Sequence, residues 1–523
     1  MNNISILDCT LRDGGYVNNW NFGENIVSKV IKRLTQAHID IIECGFIMDT
    51  EYDKNLSLFS NTHDVNDVYN IENSKSMYVG MIALGEKEIH YSKIEKRRSN
   101  SLDGIRITFH GHEVDKAIEF ALDLMGKGYE IFMQPVGTMF YTDAELLTLI
   151  EKMNRLSPFA FYIVDTLGSM SSSDVLRLFY LIDNNLASNI NIGFHSHNNL
   201  QLAFSNAKEL VNLQTNRNII IDSSVFGMGR GAGNLCTELI AEHINSTIEY
   251  KYDCVKLFSI IDTCLMPIKE KFDWGYSAAY YIAAIKQCHP SYATYLISKG
   301  TLRSADIDNI LTMIPKNKSY LYNKDLINDL YIKYQENIMD DSIAIEELKN
   351  VFNGKEILLI APGGSILSSV DVINNIKNKD NILTVSVNFS QVYDVNYVFI
   401  SNKKRYEDLV NIHEEKLIFT SNVETNNDKA LVVNYTSLLN KNEYTYDSAG
   451  LMAIELMIKL GATHIYLAGF DGFAESNNHY DGTKKTFSKQ NHIDEINKEM
   501  QESLNFYTKK IDVEFVTPSV YNI

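Results

Sequence analysis

Residues 4–15, ISILDCTLRDGG, begin as a short apolar run and end in a cluster of polar residues followed by two glycines. The apolar and β-branched residues of the run are typical of a buried strand. A turn accounts for the glycines, but it does not require an arginine and an aspartate side by side. The stretch therefore predicts a buried strand whose end carries functional side chains, Arg12 and Asp13.

The same pattern recurs along the first half of the chain. Apolar runs alternate with amphipathic, helix-like stretches such as residues 25–38, 114–128 and 174–186. The eight runs are ISILDCT, IDIIECGF, SMYVGMIAL, GIRITF, YEIFMQPV, FAFYIVDT, INIGFHSH and NIIIDSSVFG. Eight strands alternating with helices over roughly 240 residues predict an α/β fold of the (β/α)8, or TIM barrel, type. In such a barrel the chemistry takes place where the strands end and the loops begin.

Two changes of pattern follow the predicted barrel. From about residue 254 the sequence turns helical, and GKEILLIAPGGSI, residues 354–366, then opens a new strand–turn–helix unit. Further strand-like runs lie at 382–389, 395–401, 416–421, 464–472 and 512–518. We therefore predict a barrel over 1–285, a helical extension or linker over 286–353, and a separate α/β domain with a mostly parallel sheet over 354–523.

Composition limits the classes of partner. The chain has 523 residues, of which 45% are hydrophobic and 22% charged, as in soluble globular proteins. A net charge of -18 argues against broad contact with nucleic acid or anionic membranes. No apolar run is long enough to span a bilayer, and the N-terminus does not have the pattern of a signal peptide. Six cysteines without a CxxC pair indicate reduced thiols, and we expect a cytoplasmic protein that acts on small molecules.

Three strand-end residues predict a metal site. His195 and His197 are two apart on a predicted strand, so both side chains point to the same face. Asp13 ends the first strand, at the same mouth of the barrel. One carboxylate and two imidazoles suit a divalent ion that keeps open positions for substrate and water. Four further strand-end residues are candidate substrate contacts or supporting groups: Glu43, Arg106, Gln134 and Asp165.

The motifs DCTLRDGG, GFHSHNN and GMGRGAGN occur in this order. Together they resemble the metal-dependent aldolase and lyase superfamily that includes HMG-CoA lyase, over roughly residues 1–285. The resemblance implies that Asp13, His195 and His197 bind a divalent metal, Mn²⁺ or Mg²⁺, with Asn234 near or bound to it. It also implies that Arg12 contacts the carbonyl or enolate oxygen of a 2-oxo acid. An alternative for Arg12 is an ion pair with a barrel carboxylate such as Glu43.

Within that superfamily the chain is most similar to the 4-hydroxy-2-oxovalerate aldolases. The segment DWGYSAAYY implies that Tyr276 is an active-site tyrosine. One position departs from the pattern, because those aldolases have an acid/base histidine where this chain has Tyr16. A tyrosine with an ordinary pKa near 10 is a poor base at neutral pH. Either Tyr16 acts only as an acid or orienting group, or metal-bound water or another group transfers the proton; a further alternative is that Tyr16 only packs over the site.

The second domain resembles bacterial sialyltransferases that use CMP-sugars, and the related MptE-like family, over roughly 355–523. The segments YDSAGLMAIELMIKLGATHIYLAGFDGF and NNHYDGTKKTF carry the resemblance. It implies a nucleotide pocket lined by Gly363, Ser365, Asn388, Ser448 and Gly450, with His479 at the position of the transferase base. Pro362 stands where those transferases have an asparagine, and no arginine precedes SAG. These departures favour a binding domain over an active transferase.

The sequence as a whole predicts a divalent-metal-dependent aldolase that joins or cleaves a pyruvate-type enolate and an aldehyde. The second domain suggests an aldehyde derived from a sugar for surface-glycan synthesis, a nucleotide or nucleotide-sugar partner, and we expect a homo-oligomer. Two alternatives are an acyl-CoA-dependent synthase or lyase of the same superfamily and a bifunctional glycosyltransferase using a CMP-sugar. A third is a nucleotide sensor with an inactive barrel, which the intact metal residues make improbable.

Overall fold

The structure, a computed structural model, describes residues 4–71, 74–389, 393–407, 409, 417–425, 430–474, 479 and 492–522. It divides the chain into two compact units. The first contains residues 1–293 and 315–322, and the second contains residues 294–314 and 323–523. Among the described residues no helix combines the length and the apolar character needed to cross a membrane.

The first unit is a closed barrel of eight parallel strands, as the sequence predicts. The strands are β1 (Ile4–Asp8), β2 (Ile41–Ile47), β4 (Met77–Ala83), β5 (Gly104–Phe109), β6 (Glu130–Pro135), β7 (Ala160–Asp165), β8 (Asn191–Ser196) and β9 (Ile219–Ser223), while the short β3 (Leu58–Phe59) pairs outside the ring with β2. Strand β1 pairs with β9 on one side and with β2 on the other, which closes the ring. Closure brings all eight strand ends to one mouth.

Amphipathic helices cover the barrel. Helix Glu24–Gln36 buries Val27, Val30, Ile31 and Leu34 against it, each worth about 1.5–3 kcal/mol relative to exposure. The other helices of five or more residues up to residue 285 are Val114–Gly126, Asp143–Leu156, Ser172–Asn185, Ala203–Val211, Thr237–Thr247, Cys254–Ile260 and Ala278–Ile285. Short helices occur at Gly15–Asn18, Val65–Val68 and Met266–Lys269, and a π-helical turn at Ile261–Leu265. Beyond them follow Pro290–Lys299, Ser304–Thr312, Lys324–Gln335 and Ser342–Phe352.

The second unit contains a seven-stranded parallel sheet with the order β14-β13-β12-β11-β10-β15-β16. Its strands are β10 (Glu356–Ile360), β11 (Ile382–Val387), β12 (Tyr397–Ile400), β13 (Leu417–Thr420), β14 (Leu431–Val433), β15 (His464–Ala468) and β16 (Asp512–Phe515). Helices of this region are Ser365–Ser368, Val370–Lys377, Lys403–Glu407, Ala449–Lys459 and Ile493–Tyr507. The chain crosses from one side of β10 to the other between β14 and β15. β10 and β15 are neighbours in the sheet, but the chain leaves them toward opposite edges of it. At such a point a crevice opens at the carboxyl ends of the two strands.

Candidate functional site

Asp13, His195 and His197 come together at the mouth of the barrel, as the sequence predicts. One potential ligand atom from each residue lies within 4.8 Å of those from the other two. All three side chains are buried. Asp13 is held in the turn after β1 by its backbone N–H, which donates to the carbonyl of Cys9 at 2.8 Å. The turn thus places a carboxylate opposite two imidazoles from the end of β8.

The donor set fits a divalent cation. His195 Nδ1 lies 3.0 Å from Asp222 Oδ2, which orients the ring and leaves Nε2 near Asp13 Oδ2, at 3.4 Å. His197 Nδ1 and Asn234 Oδ1 are buried, and neither has a hydrogen-bond partner among the residues that the structure describes. Asn234 is brought to this place by a β-bridge with His197. Buried polar atoms of this kind need a partner, and a metal ion would supply one.

A closed network of buried charges surrounds the three residues. Arg12 Nε donates to Glu43 Oε2 at 2.8 Å, and Arg12 Nη1 donates to Asp13 Oδ2 at 2.6 Å. Arg106 Nη1 lies 2.7 Å from Glu43 Oε2, and Arg106 Nη2 pairs with Asp222. Three carboxylates, those of Asp13, Glu43 and Asp222, thus face two guanidinium groups, and His195 lies between Asp13 and Asp222. Buried charges require compensation, which in this network a protonated His195 or a bound cation beside Asp13 would supply.

The pKa values of Asp13 and His197 suit this role, whereas that of His195, which burial lowers, is raised overall by its hydrogen bonds to Asp13 and Asp222, so a metal ion would have to displace a proton from it. Burial by itself would raise the pKa of Asp13, but Arg12 and His197 outweigh it and hold that pKa well below its usual value. Burial lowers the pKa of His197 to about 3. The carboxylate is therefore ionised and this imidazole neutral at neutral pH, the forms in which both bind metal ions.

A cavity of about 620 Å³ opens above the metal-site residues. Its wall includes Arg12, Tyr16, Gln134, Arg230 and His289. Two guanidinium nitrogens, Arg12 Nη2 and Arg230 Nε, are buried and have no hydrogen-bond partner within the described part of the chain. In the amide orientation that pairs donors with acceptors, the Gln134 oxygen accepts from Arg106 Nε at 2.7 Å. The cavity thus presents unfilled donors to any anionic or carbonyl oxygen inside it.

Tyr16 packs in this wall against aromatic and cationic groups. Its ring makes edge contacts with Trp20 and Phe46 at centroid distances of 4.8 and 6.2 Å. The Arg230 guanidinium lies over the ring at 5.2 Å. Burial raises the pKa of Tyr16 to about 12, so the hydroxyl stays protonated at neutral pH. The raised pKa disfavours Tyr16 as a base and is compatible with the acid, orienting and packing roles that the sequence predicts.

Several predicted site residues lie outside the cavity wall. Glu43 and Arg106 are buried below it in the charge network. The Asp165 carboxylate accepts hydrogen bonds from the backbone N–H groups of Ser169 and Met170 at 2.9 and 3.1 Å, and it thereby fixes the loop after β7. Tyr276 is 63% exposed and does not line the cavity as the described residues define it.

Three residues of the site are not anticipated from the sequence. Asp222 is the fourth residue of β9, and its place near a strand end is the one signal that could have identified it. Arg230 lies within the GMGRGAGN motif, where only the glycines and the asparagine suggest a role. His289 follows the barrel in a helical region without strand periodicity. Its Nδ1 accepts the backbone N–H of Ser291 at 3.2 Å, and burial holds its pKa well below the usual value.

The second unit has its own cavity, of about 280 Å³, at the carboxyl ends of β10, β11, β12 and β15. Five of the six residues predicted for a nucleotide pocket line it: Gly363, Asn388, Ser448, Gly450 and His479. The sixth, Ser365, lies behind the wall, where its backbone N–H donates to Asp471 Oδ2 at 2.9 Å. Gly363 is required at its position, because a Cβ there would lie 2.3 Å from the carbonyl oxygen of Gly469.

Known proteins resemble the barrel. Residues 104–263 match the HMGL-like family. The predicted resemblance to the HMG-CoA lyase superfamily is confirmed. An oxaloacetate decarboxylase from Mycobacterium tuberculosis is 25% identical over 235 residues, 45% of this chain and 68% of that protein. A 4-hydroxy-2-oxovalerate aldolase from Bacillus cereus is 26% identical over 351 residues, 62% of this chain and 94% of that protein. The HMG-CoA lyase structure from Brucella melitensis aligns with a TM-score of 0.40 at 14% identity, covering 50% of this chain and 96% of that one.

Proposed function

We propose that the barrel is a divalent-metal-dependent aldolase that forms or cleaves a carbon–carbon bond between a pyruvate-type enolate and an aldehyde. One observation carries the proposal. Arg12 Nη2 is a buried, unfilled guanidinium donor in a cavity wall that also contains the convergent residues Asp13, His195 and His197. A fixed donor at this place stabilises negative charge that develops on a carbonyl oxygen.

Cleavage of a 4-hydroxy-2-oxo acid breaks the bond between C3 and C4. The C4 hydroxyl passes its proton to water in the cavity and becomes the aldehyde, while the electrons of the C3–C4 bond pass to C3 and the C2 oxygen as an enolate. Water then returns a proton to C3, which gives pyruvate. A divalent ion held by Asp13, His195 and His197, with Asn234, would supply Lewis-acid stabilisation of that oxygen. Arg12 donates to the same oxygen through Nη2, and its ion pairs with Glu43 and Asp13 fix the direction of the guanidinium.

Two further wall residues have roles in this scheme. Arg230, whose Nε is unfilled, binds the carboxylate of the 2-oxo acid, for which a planar guanidinium is well suited. His289 is neutral, and because Nδ1 accepts from Ser291 its proton is on Nε2. That N–H donates to the oxygen at C4. The compounds named in the relatives, oxaloacetate and 4-hydroxy-2-oxovalerate, are both 2-oxo acids, which supports this class of substrate.

The test is release of pyruvate from candidate 4-hydroxy-2-oxo acids. We expect EDTA treatment to abolish it, Mn²⁺ or Mg²⁺ to restore it, and Asp13→Ala to lose it without restoration. Arg12→Lys keeps the charge but not the bidentate geometry, so we expect a decrease in kcat of about 10²-fold or more with metal affinity retained. Full turnover after thorough metal removal would refute the proposal. Turnover that requires an acyl-CoA would favour the synthase or lyase alternative.

For the second unit we propose nucleotide binding. The supporting observation is a cavity lined by glycine turns at the carboxyl ends of parallel strands, on both sides of the crossing between β10 and β15. Equilibrium binding of CMP to the full chain, measured by calorimetry, tests it. Sugar transfer from a CMP-sugar that survives His195→Ala but not His479→Ala would instead favour the glycosyltransferase alternative. A sugar-derived aldehyde for surface-glycan synthesis remains a proposal that depends on the pairing of the two units.

A further inference from the structure

Two cationic side chains in the cavity of the second unit form no ion pair with a carboxylate of the described residues. Lys299 and Arg405 both line the cavity. Within the part of the chain that the structure describes, neither has a carboxylate oxygen within 4.0 Å. By contrast, the neighbouring Lys403 lies 3.5 Å from Glu424. Unpaired cations in a concave wall attract anions, because desolvated charge requires compensation.

Lys299 is held in place by aromatic rings. Its Nζ lies 4.8 Å from the ring centroid of Tyr295, 4.9 Å from that of Tyr331 and 5.3 Å from that of Tyr446. Ring faces stabilise an ammonium group, but they do not replace the conventional hydrogen-bond acceptors that its three N–H bonds can reach. The cage therefore fixes the position of the charge and leaves hydrogen-bond capacity for a ligand.

The carboxylates that line this cavity are engaged by neutral donors. Asp447 Oδ2 accepts from the hydroxyls of Tyr331 at 2.5 Å and Tyr435 at 3.5 Å. Asp471 accepts from the backbone N–H and the hydroxyl of Ser365. Asp447 acts on Lys299 electrostatically from beyond 4.0 Å, as do Glu443 and Glu499, which do not line the cavity. The two carboxylates of the wall, Asp447 and Asp471, are thus fixed away from direct contact with the two cations.

The remaining wall combines hydroxyl and amide side chains with an apolar and aromatic part. Phe389, Phe470, Met500 and Tyr521 contribute to it. A ligand that fits combines a flat or apolar part with a localised anionic group, as a nucleoside monophosphate does. We propose that Lys299 and Arg405 form an anion subsite that binds the phosphate of a nucleotide. This inference rests on the proposed nucleotide binding and adds the residues that recognise the charge.

The test compares CMP, cytidine and inorganic phosphate by calorimetry on the full chain. We expect CMP to bind at least tenfold more tightly than cytidine, and the difference to shrink as salt is added. Lys299→Met and Arg405→Gln should each weaken CMP binding at least tenfold and leave cytidine binding unchanged. Lys404→Gln is the matched control, because Lys404 is exposed and adjacent to Arg405 in the same helix. Pyruvate release by every variant verifies that the barrel is intact.

The outcomes separate the two proposals. If CMP and cytidine bind equally well to wild type and variants, nucleotide binding holds and the anion subsite is wrong. If neither nucleotide nor nucleoside binds, nucleotide binding is wrong, and the present inference falls with it. Phosphate binding that depends on Lys299 and Arg405 without any CMP binding would overturn the nucleotide ligand and indicate a different phosphorylated ligand.

Discussion

Asp222 shows how much of the candidate metal site depends on residues outside the proposed ligand set. Its carboxylate fixes the ring of His195 through Nδ1 and also pairs with Arg106. Partners of this kind determine which imidazole nitrogen faces a metal, and their loss typically reduces metal affinity 10–100-fold. The orientation of His195 therefore depends on a residue of β9, a strand that provides no metal ligand in our proposal.

We predict that Asp222→Asn lowers Mn²⁺ affinity about 10–100-fold, because an amide cannot match the charge of the carboxylate beside His195 and Arg106. Calorimetric titration of the metal-free protein measures the change. Asp143→Asn is the control, since this carboxylate is exposed and pairs only with the surface Arg177 among the described residues. Equal affinities of the two variants would show that Asp222 does not support the metal site.

Family resemblance alone does not determine the role of Tyr16, because the similar aldolases have a histidine at this position. Its surroundings indicate a packing role, since its ring supports Arg230 and its pKa is raised to about 12. We predict that Tyr16→Phe retains pyruvate release within about threefold, because the hydroxyl is not needed as a base. Tyr16→Leu, which removes the ring face under Arg230, should raise KM for the 2-oxo acid. A loss of 10²-fold or more in kcat for Tyr16→Phe would instead assign proton transfer to this hydroxyl.

At the scale of elements, the loop between β9 and helix Thr237–Thr247 completes the site. Asn234 reaches the metal residues because Gly229 leaves space for it. A Cβ at Gly229 would lie 2.4 Å from Asn234 Nδ2 and 3.1 Å from Asp13 Oδ1. The glycine is needed here because it leaves space for an amide and a carboxylate to approach closely. It is not needed for a left-handed backbone conformation.

We predict that Gly229→Ala weakens metal binding at least tenfold, because Asn234 or Asp13 must move to accommodate the methyl group. Gly126→Ala is the matched control, since its Cβ would meet no atom within 4 Å, and in a helix the change should be neutral or stabilising by up to about 1 kcal/mol. Metal titration and thermal melting measure both. Unchanged metal affinity in Gly229→Ala would show that this loop does not contribute to metal binding.

The elements differ in how far the sequence reveals them. The eight barrel strands are predictable, because each combines an apolar run with polar residues at its end, as in β1 and β8. Strand β14 escapes prediction, because three residues, Leu431–Val433, are too short to show a period. Asp13, His195 and His197 are recognisable from motif and strand position. Asp222, Arg230 and His289 are not, since their roles depend on which loops tertiary folding brings to the mouth.

At the scale of the whole molecule, the chain has two compact units with separate hydrophobic cores. The metal residues lie in one unit and the candidate nucleotide pocket in the other. A ligand stabilises the unit that binds it by RT ln(1 + [L]/Kd), which is about 2.7 kcal/mol at a ligand concentration of 100 times Kd. Ligand binding at each cavity should therefore raise the unfolding temperature of the unit that contains it.

We predict that differential scanning calorimetry shows two unfolding transitions, and that each ligand raises the temperature of a different one. Mn²⁺ should raise the unfolding temperature of the barrel and EDTA should reverse that increase, because an ion that binds only the folded barrel stabilises it. CMP should raise the transition of the second unit. Asp13→Ala should abolish only the Mn²⁺ shift, and Lys299→Met should reduce only the CMP shift. Two ligands that move one common transition, with each variant affecting both shifts, would contradict independent sites and indicate that the units unfold as one.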